Sequence, residues 1–182
     1  MKAKTGDSKL QQELTDMLRR KFHGMSVFVE HSARWKRTCV RFVWPGFAGL
    51  LPEERFQRLA SSIPEAFRES RLKGFVWIEA TPDESIDDVL AMPRSEDVAD
   101  REAEIYERLE KIDFFSALKG RLEPEPQRSC KGDFSHVQSV LSNKRAGEAQ
   151  TRDAKLLFIR HGAYCDCQVV QAVHAELAKR HA

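Results

Sequence analysis

The sequence predicts an α+β protein, in which a three-stranded mixed sheet with helices on one face (α-β-β-α-β) is followed by a long helix and a small helical Cys/His module. Three observations predict it. Apolar residues recur at helical spacing near the start, alternate with polar residues in short runs up to residue 80, and then return to helical spacing. We expect one unit at 1–82, an acidic connector with a long amphipathic helix at 83–120, and the helical module at 121–182.

The first helix and a hairpin open the chain. Ser8 is a hydroxyl N-cap candidate, and Gln11 follows it three residues later, as in a capping box. The apolar stripe of this helix comprises Leu10, Leu14, Met17, Leu18 and Phe22. Two runs with a period of two come next, at 26–30 and Cys39–Trp44, and a polar turn separates them. We therefore expect two antiparallel strands.

A second helix and a third strand complete the first unit. Pro52 suits the first turn of a helix, and Pro64 divides the helical stretch because proline lacks a backbone donor. After Gly74, the run Phe75–Ala80 is typical of a strand. A strand, a helical crossover and another strand in one sheet predict a right-handed connection and parallel pairing of the second and third strands.

The second half of the chain is predicted to be helical. An acidic connector at Asp83–Pro93 leads into a long amphipathic helix from about Val98 to Leu118. Three more helices are expected, around 134–141, 156–161 and 169–177, the second of them ending at a glycine.

The first unit resembles the BolA-like family, whose fold is related to one class of KH domains. The resemblance rests on the α-β-β-α-β order over 8–82, on Phe47-Ala-Gly49 leading into a helix, and on Thr81-Pro-Asp-Glu84 after the third strand. It implies the fold only. In that family a histidine after the Phe-x-Gly turn helps to hold an iron–sulfur cluster, whereas Pro52–Leu59 contains no histidine here.

The hairpin suggests one alternative function, RNA binding. Guanidinium groups bind phosphate, and an indole can stack on a base. The hairpin turn and the strand after it supply Arg34, Trp35, Lys36, Arg37 and Arg41. A solvated basic turn without a partner explains the same residues.

The cysteines of the last third form the most distinctive pattern. His161-Gly-Ala-Tyr-Cys-Asp-Cys167 follows an upstream Cys130 that has His136 six residues later. This pairing resembles a small bacterial family of unknown function whose members end in Gly-x-Tyr-Cys-Asp-Cys. The sequence departs from that family at Gly132, where the family carries histidine. No activity comes with this resemblance.

Thiolate and imidazole are the donors that zinc prefers, and four of them make a closed structural site. Cys130, His136, Cys165 and Cys167 supply that number. Both cysteine segments lie just before predicted helices, with Asp133 and Asp166 as the expected N-caps, and a helix N-terminus favours thiolate over thiol. The sequence therefore predicts a zinc site that ties two helix starts together.

Other roles for these residues stay open. His161 or His174 could replace His136 as the fourth ligand. The cysteines could instead be inert reduced thiols, or could act in thiol redox chemistry. Cys39 lies in the middle of a predicted strand and is expected to pack in the core as a small apolar residue.

Composition restricts the class of protein further. The net charge is +6 over 1–46, −8 over 47–113 and +4 over 114–182, a pattern that suits either an anionic partner or packing of the parts against each other. No apolar segment approaches the roughly 20 residues of a membrane span, and the N-terminus lacks the features of a secretory signal. We expect a cytoplasmic protein without a membrane partner.

The main functional hypothesis is a non-enzymatic binding or adaptor protein that has an unidentified protein partner and a zinc site. The sequence contains no GxSxG, GxGxxG, GxxxxGK[ST] or HExxH motif. RNA binding is the first alternative, and a thiol-based redox protein is the second.

Overall fold

The computed structural model describes residues 7–123 and 130–181 and confirms the α+β class. The chain forms two compact units, Met1–Pro93 and Arg94–Ala182. The first unit contains the sheet, and the acidic segment after the third strand belongs to it. The second unit is helical and contains Cys130, Cys165 and Cys167.

The sheet of the first unit has three strands: β1 (Ser26–Ser32), β2 (Arg37–Val43) and β3 (Val76–Ala80). The strand order is β1-β2-β3. β1 and β2 pair antiparallel, with Val29 opposite Val40, and β2 and β3 pair parallel, with Val40 opposite Trp77. The predicted hairpin and the predicted parallel pair are both confirmed.

Helices cover one face of this sheet: α1 (Ser8–Leu18), α2 (Pro52–Ala60) and the short α3 (Glu65–Phe67), which continues as a π-helical turn at Arg68–Leu72. The break at Pro64 divides α2 from α3, as its missing donor requires. Apolar residues from α1, the strands and α2 form one core cluster, which includes Leu10, Leu14, Leu18, Val27, Val29, Val40, Phe42 and Leu59.

A further helix, α4 (Ile86–Ala91), lies in the segment that the sequence indicated as an acidic connector. Its N-cap Ser85 accepts a hydrogen bond from the amide of Asp88, whose carboxylate accepts one from the amide of Ser85. Val89 packs with Cys39, Ile78 and Ala80, which project from the opposite sheet face to Val40 and Phe42. Cys39 is therefore a core residue, as predicted.

The second unit has six helical segments within its described residues. They are a 3₁₀ turn at Ser95–Arg101, α5 (Glu102–Lys111), α6 (Phe114–Leu122), α7 (Ser135–Asn143), α8 (Glu148–Arg160), and α9 (Asp166–Gln168), which continues through a π-helical turn at Val169–Val173 into α10 (His174–Arg180). The core joins α6, α7 and α8 through aromatic side chains. Phe114 stacks on Phe158 with 5.5 Å between ring centroids, and Phe134 lies 6.3 Å from Phe158.

The prediction of one long helix over 98–118 is wrong in two respects. The chain is 3₁₀-helical from Ser95 to Arg101, and a break separates α5 from α6. At the break Asp113 has φ +51°, the left-handed conformation that aspartate tolerates better than most residues. The apolar spacing continues across the break, so periodicity alone does not reveal it. Within 7–123 and 130–181, no helix is both long and apolar enough to cross a bilayer.

A buried arginine joins α2 to the end of β3 in the first unit. The Arg55 side chain is 2% exposed and forms a two-bond ion pair with Glu84, at 2.7 and 2.9 Å. It also donates to the carbonyl oxygens of Leu50 and Glu79. Because every one of these acceptors lies in or beside a loop, the guanidinium fixes the loops at this end of the sheet.

We predict that Glu84→Gln lowers the free energy of unfolding of the first unit by about 3 kcal/mol, because it leaves a buried guanidinium without its counter-charge. Hydrogen bonds from Arg55 lower the pKa of Glu84 below its ordinary value. In the wild type this stability is present above the unfolded pKa of about 4.3 and is lost as the pH falls through the lowered pKa. The Glu84→Gln variant should not show this loss of stability as the pH falls.

Urea unfolding followed by tryptophan fluorescence measures this unit alone, because all three tryptophans (Trp35, Trp44 and Trp77) lie in it. Glu69→Gln, at an exposed position of the same unit, is the matched control and should change stability by less than about 0.5 kcal/mol. Equal stability of the two variants would show that the ion pair does not support this end of the sheet.

Candidate metal centre

Three thiols meet in the second unit. The sulfur atoms of Cys130, Cys165 and Cys167 all lie within 4.8 Å of one another, and those of Cys165 and Cys167 are 3.2 Å apart. Cys165 is buried, and the other two are half-buried. All three are free thiols. The predicted approach of Cys130 to the Cys-x-Cys pair, 35 residues later, is therefore present in the structure.

The backbone explains how two thiols of a Cys-x-Cys pair can face the same point. Cys165 is the extended N-cap of α9, with φ −156° and ψ 163°, and Cys167 lies one residue inside the helix. Residues i and i+2 of a strand already share a face, and the smaller rise of the helical backbone, about 1.5 Å per residue instead of about 3.3 Å, brings the second side chain nearer the first. On the other segment, Gly132 has φ +77°, so the chain turns between Cys130 and α7.

Asp166, between the two cysteines, holds the two segments together. Its side chain is fully buried. The carboxylate accepts hydrogen bonds from the backbone amides of Val137 at 2.8 Å and His136 at 3.0 Å, and the Asp166 amide donates to the carbonyl oxygen of Asp133 at 2.9 Å. We call these three bonds the Asp166 clamp. They fix the Cys165–Cys167 segment against the start of α7 with protein atoms alone.

Asp166 does not cap the helix that its position in the sequence predicts. Asp166 was predicted to cap the final helix and Asp133 to cap α7, but the N-caps are Cys165 and Phe134. Asp166 instead caps α7, a helix whose first turn lies about 30 residues earlier. Capping rules read along the sequence detect only local partners, so a cap supplied by a distant residue gives no local signal. Asp133 keeps a smaller role, since its carboxylate accepts from the Ser135 amide.

The three thiols differ in how readily they ionise. Burial opposes ionisation of Cys130, but the backbone N–H groups of Cys167 and Gly132 donate to its sulfur, and the net result is a lowered pKa. Burial, together with the neighbouring Cys165 and Cys130, raises the pKa of Cys167 to about 12. Burial also raises the pKa of Cys165. Cys130 is therefore the thiol of this group that ionises most readily.

His136 is not part of the sulfur group, which comprises Cys130, Cys165 and Cys167. Within the described residues, the donors that all lie within 4.8 Å of one another are the three thiols alone. The His136 backbone, at the second position of α7, belongs to the Asp166 clamp. The clamp keeps this residue beside the sulfur group. Its role as the fourth ligand therefore stays a prediction.

The two alternative histidines have other partners. The His161 ring lies between two carboxylates, with Nδ1 3.2 Å from Glu176 and Nε2 3.1 Å from Glu102, the second contact lacking hydrogen-bond geometry. His174 stacks on Phe115 with 4.2 Å between centroids, and its Nε2 is 3.5 Å from Glu110. Neither belongs to the sulfur group.

The residues proposed for RNA binding are partly engaged within the first unit. Arg34 pairs with Asp87 and lies over the ring of Trp35, whose centroid is 5.6 Å away. Trp35 packs against the cluster beneath α4. Arg41 lies over Phe28 at 4.6 Å, while Lys36 and Arg37 are exposed in and beside the turn. Three of the five residues, Arg34, Trp35 and Arg41, are therefore already engaged in intramolecular contacts.

The sulfur group has the chemistry of a soft-metal site. In a tetrahedral zinc site, bonds of about 2.3 Å place thiolate sulfurs about 3.8 Å apart, a value within the spacing found here. Backbone N–H groups that point at a sulfur stabilise the thiolate that a metal requires. The three residues therefore fit a bound cation such as Zn²⁺.

Comparisons with known proteins give no match: no family model, no curated protein and no solved structure is significantly similar to this chain. The candidate centre therefore depends on its own geometry and chemistry.

We predict that Asp166→Asn weakens the clamp, because the amide oxygen can still accept from one backbone N–H while the amide nitrogen places its own donors toward the other. Loss of one hydrogen bond to a charged group should destabilise the second unit by about 2 kcal/mol. Hydrogen exchange at the amides of His136 and Val137 should accelerate correspondingly, about 30-fold. Asp100→Asn, at an exposed position of the same unit, should leave both amides protected. Unchanged exchange in Asp166→Asn would contradict the assignment of the clamp.

Proposed function

We propose that this protein is a zinc-binding protein in which Cys130, Cys165 and Cys167 hold one ion. The observation that carries the proposal is the convergence of three thiols from two segments onto one point, within 4.8 Å of one another. Lone cysteines in a core do not require such convergence, whereas a tetrahedral thiolate site does. The hydrogen bonds that the Cys130 sulfur receives add support, since they are suited to an anionic ligand.

His136 is proposed as the fourth ligand, because its backbone is fixed to the same Asp166 that separates Cys165 from Cys167. Four protein ligands close a zinc site, which is the arrangement of structural rather than catalytic centres. The ion would then join the loop before α7 to the start of α9. Each of these segments lies beside a short helix. Its role is structural, and it stabilises the fold on binding.

The proposed biological role is a non-enzymatic binding or adaptor protein with a protein partner. The support is that the centre, when closed by four ligands, leaves no position for a substrate. The first unit, proposed to be BolA-like, supplies a second folded part for interaction. Reduced thiols of this kind persist in the cytoplasm, the compartment we propose.

Metal analysis of the purified protein tests the proposal. We predict one zinc per chain in the wild type and in Cys39→Ala, which removes the one cysteine outside the sulfur group. Serine at position 130, 165 or 167 should lower zinc affinity at least 100-fold, because a hydroxyl is a poor soft-metal ligand. Circular dichroism confirms folding of each variant in excess zinc.

Two results would overturn the proposal. One is a wild-type protein that, reduced and supplied with zinc, binds none. The other is a stable disulfide between Cys165 and Cys167 in the protein as isolated, which would favour thiol redox chemistry. His136→Ala tests the fourth ligand separately. Unchanged affinity in that variant removes His136 from the site and leaves the three-thiolate centre in place.

Zinc affinity should rise steeply with pH. Because burial and neighbouring thiols raise the pKa values of Cys165 and Cys167, both hold protons near neutral pH and must release them to bind metal. We predict that at least two protons are released per zinc, so that affinity increases about 100-fold per pH unit around pH 7. Calorimetry in buffers of different ionisation enthalpy counts the protons, and release of none would contradict thiolate ligation.

A further inference from the structure

A second concave site lies in the helical unit, apart from the cysteines. It opens between α5, the end of α7 and the start of α8, and encloses about 240 Å³. Its floor is apolar and comprises Ile105, Leu109, Leu141 and Ala154, each at most 3% exposed, together with Ile112 and Ala146. Small-molecule sites are usually concave, mostly apolar and equipped with a few polar groups, and this cavity is slightly smaller than their usual range of about 300–1,000 Å³.

Among the described residues, three cations and no carboxylate line the same cavity. Arg108 lies on α5, while Lys144 and Arg145 follow α7. Arg108 is 3.1 Å from Glu104, which is not a lining residue. Lys144 and Arg145 are exposed, and neither forms an ion pair with another described residue. An anion at this position would therefore meet positive charge next to apolar surface.

The backbone at Arg145 adds an independent argument. The end of α7 is a Schellman motif, in which the Ala146 amide donates to the Leu141 carbonyl and the Arg145 amide donates to the Ser142 carbonyl, both at 2.9 Å. Arg145 occupies the left-handed position of this motif, with φ +61°. Glycine is the usual residue there because it has no Cβ penalty. Arginine at this position is less favourable for folding, and its side chain lines the cavity.

We propose that this cavity binds a small amphipathic anion, specifically an aliphatic carboxylate of medium chain length. The aliphatic part lies on the apolar floor, and the carboxylate pairs with Arg145, Lys144 and Arg108. Each methylene added to the ligand increases affinity about fourfold until the cavity is full. The site is independent of zinc, so binding occurs in the metal-loaded protein.

Titration of the full-length protein with octanoate, followed by NMR or calorimetry, tests the proposal. Butyrate lacks most of the apolar part and octanol lacks the charge, so both should bind at least tenfold more weakly than octanoate. Arg145→Gly removes one cation, keeps the left-handed backbone and should preserve stability, so a loss of folding does not confuse the result. Arg145→Gly should weaken octanoate binding about tenfold. The control Lys179→Ala removes an exposed cation of α10 outside the cavity and should not change the affinity.

Ala154→Leu provides a second variant, because its larger side chain occupies the floor and should abolish binding. The proposal is overturned if octanoate does not bind saturably at concentrations below those at which it forms micelles. It is also overturned if octanol binds as tightly as octanoate. Binding of inorganic phosphate with the same dependence on Arg145, and no advantage for octanoate, would show a simple anion site instead.

Discussion

The arrangement of the candidate metal centre depends on one buried carboxylate. Asp166 has no exposed surface, and burial raises its pKa. A charge in such a place is unfavourable unless backbone donors compensate for the lost water, and the amides of His136 and Val137 provide that compensation. Those amides belong to the first turn of α7, which has no intrahelical acceptors for them. One side chain therefore satisfies a helix end and aligns two distant segments.

This alignment matters for metal binding because it is made by protein atoms alone. A site that must be ordered by the ion itself loses part of the binding free energy to the entropy of two flexible segments. Here the Asp166 clamp joins the two segments, and the sulfur atoms of Cys130, Cys165 and Cys167 already lie within 4.8 Å of one another. The first unit uses the same device, since buried Arg55 collects loop carbonyls and Glu84 around one guanidinium. In each unit a buried charge fixes loops that apolar packing does not order.

Local patterns in the sequence were sufficient for most of the fold. Alternation indicated β1 and β2, Pro64 indicated the break after α2, and the chirality of crossovers indicated the parallel pairing. The break at Asp113 was missed because apolar spacing continues through it, and α4 was missed because its segment looked like a charged connector. The approach of Cys130 to Cys165 and Cys167 was predictable from donor chemistry. The cap by Asp166 was not, since its partners are about 30 residues away, and His136 lies outside the sulfur group.

X-ray absorption at the zinc edge of the metal-loaded protein tests the central claim most directly, because it counts the sulfur atoms around the ion. The proposed site of three thiolates and His136 predicts three sulfur scatterers at about 2.3 Å and one nitrogen at about 2.0–2.1 Å. A first shell of oxygen and nitrogen atoms only, or of a single sulfur, would show that these thiols do not share an ion.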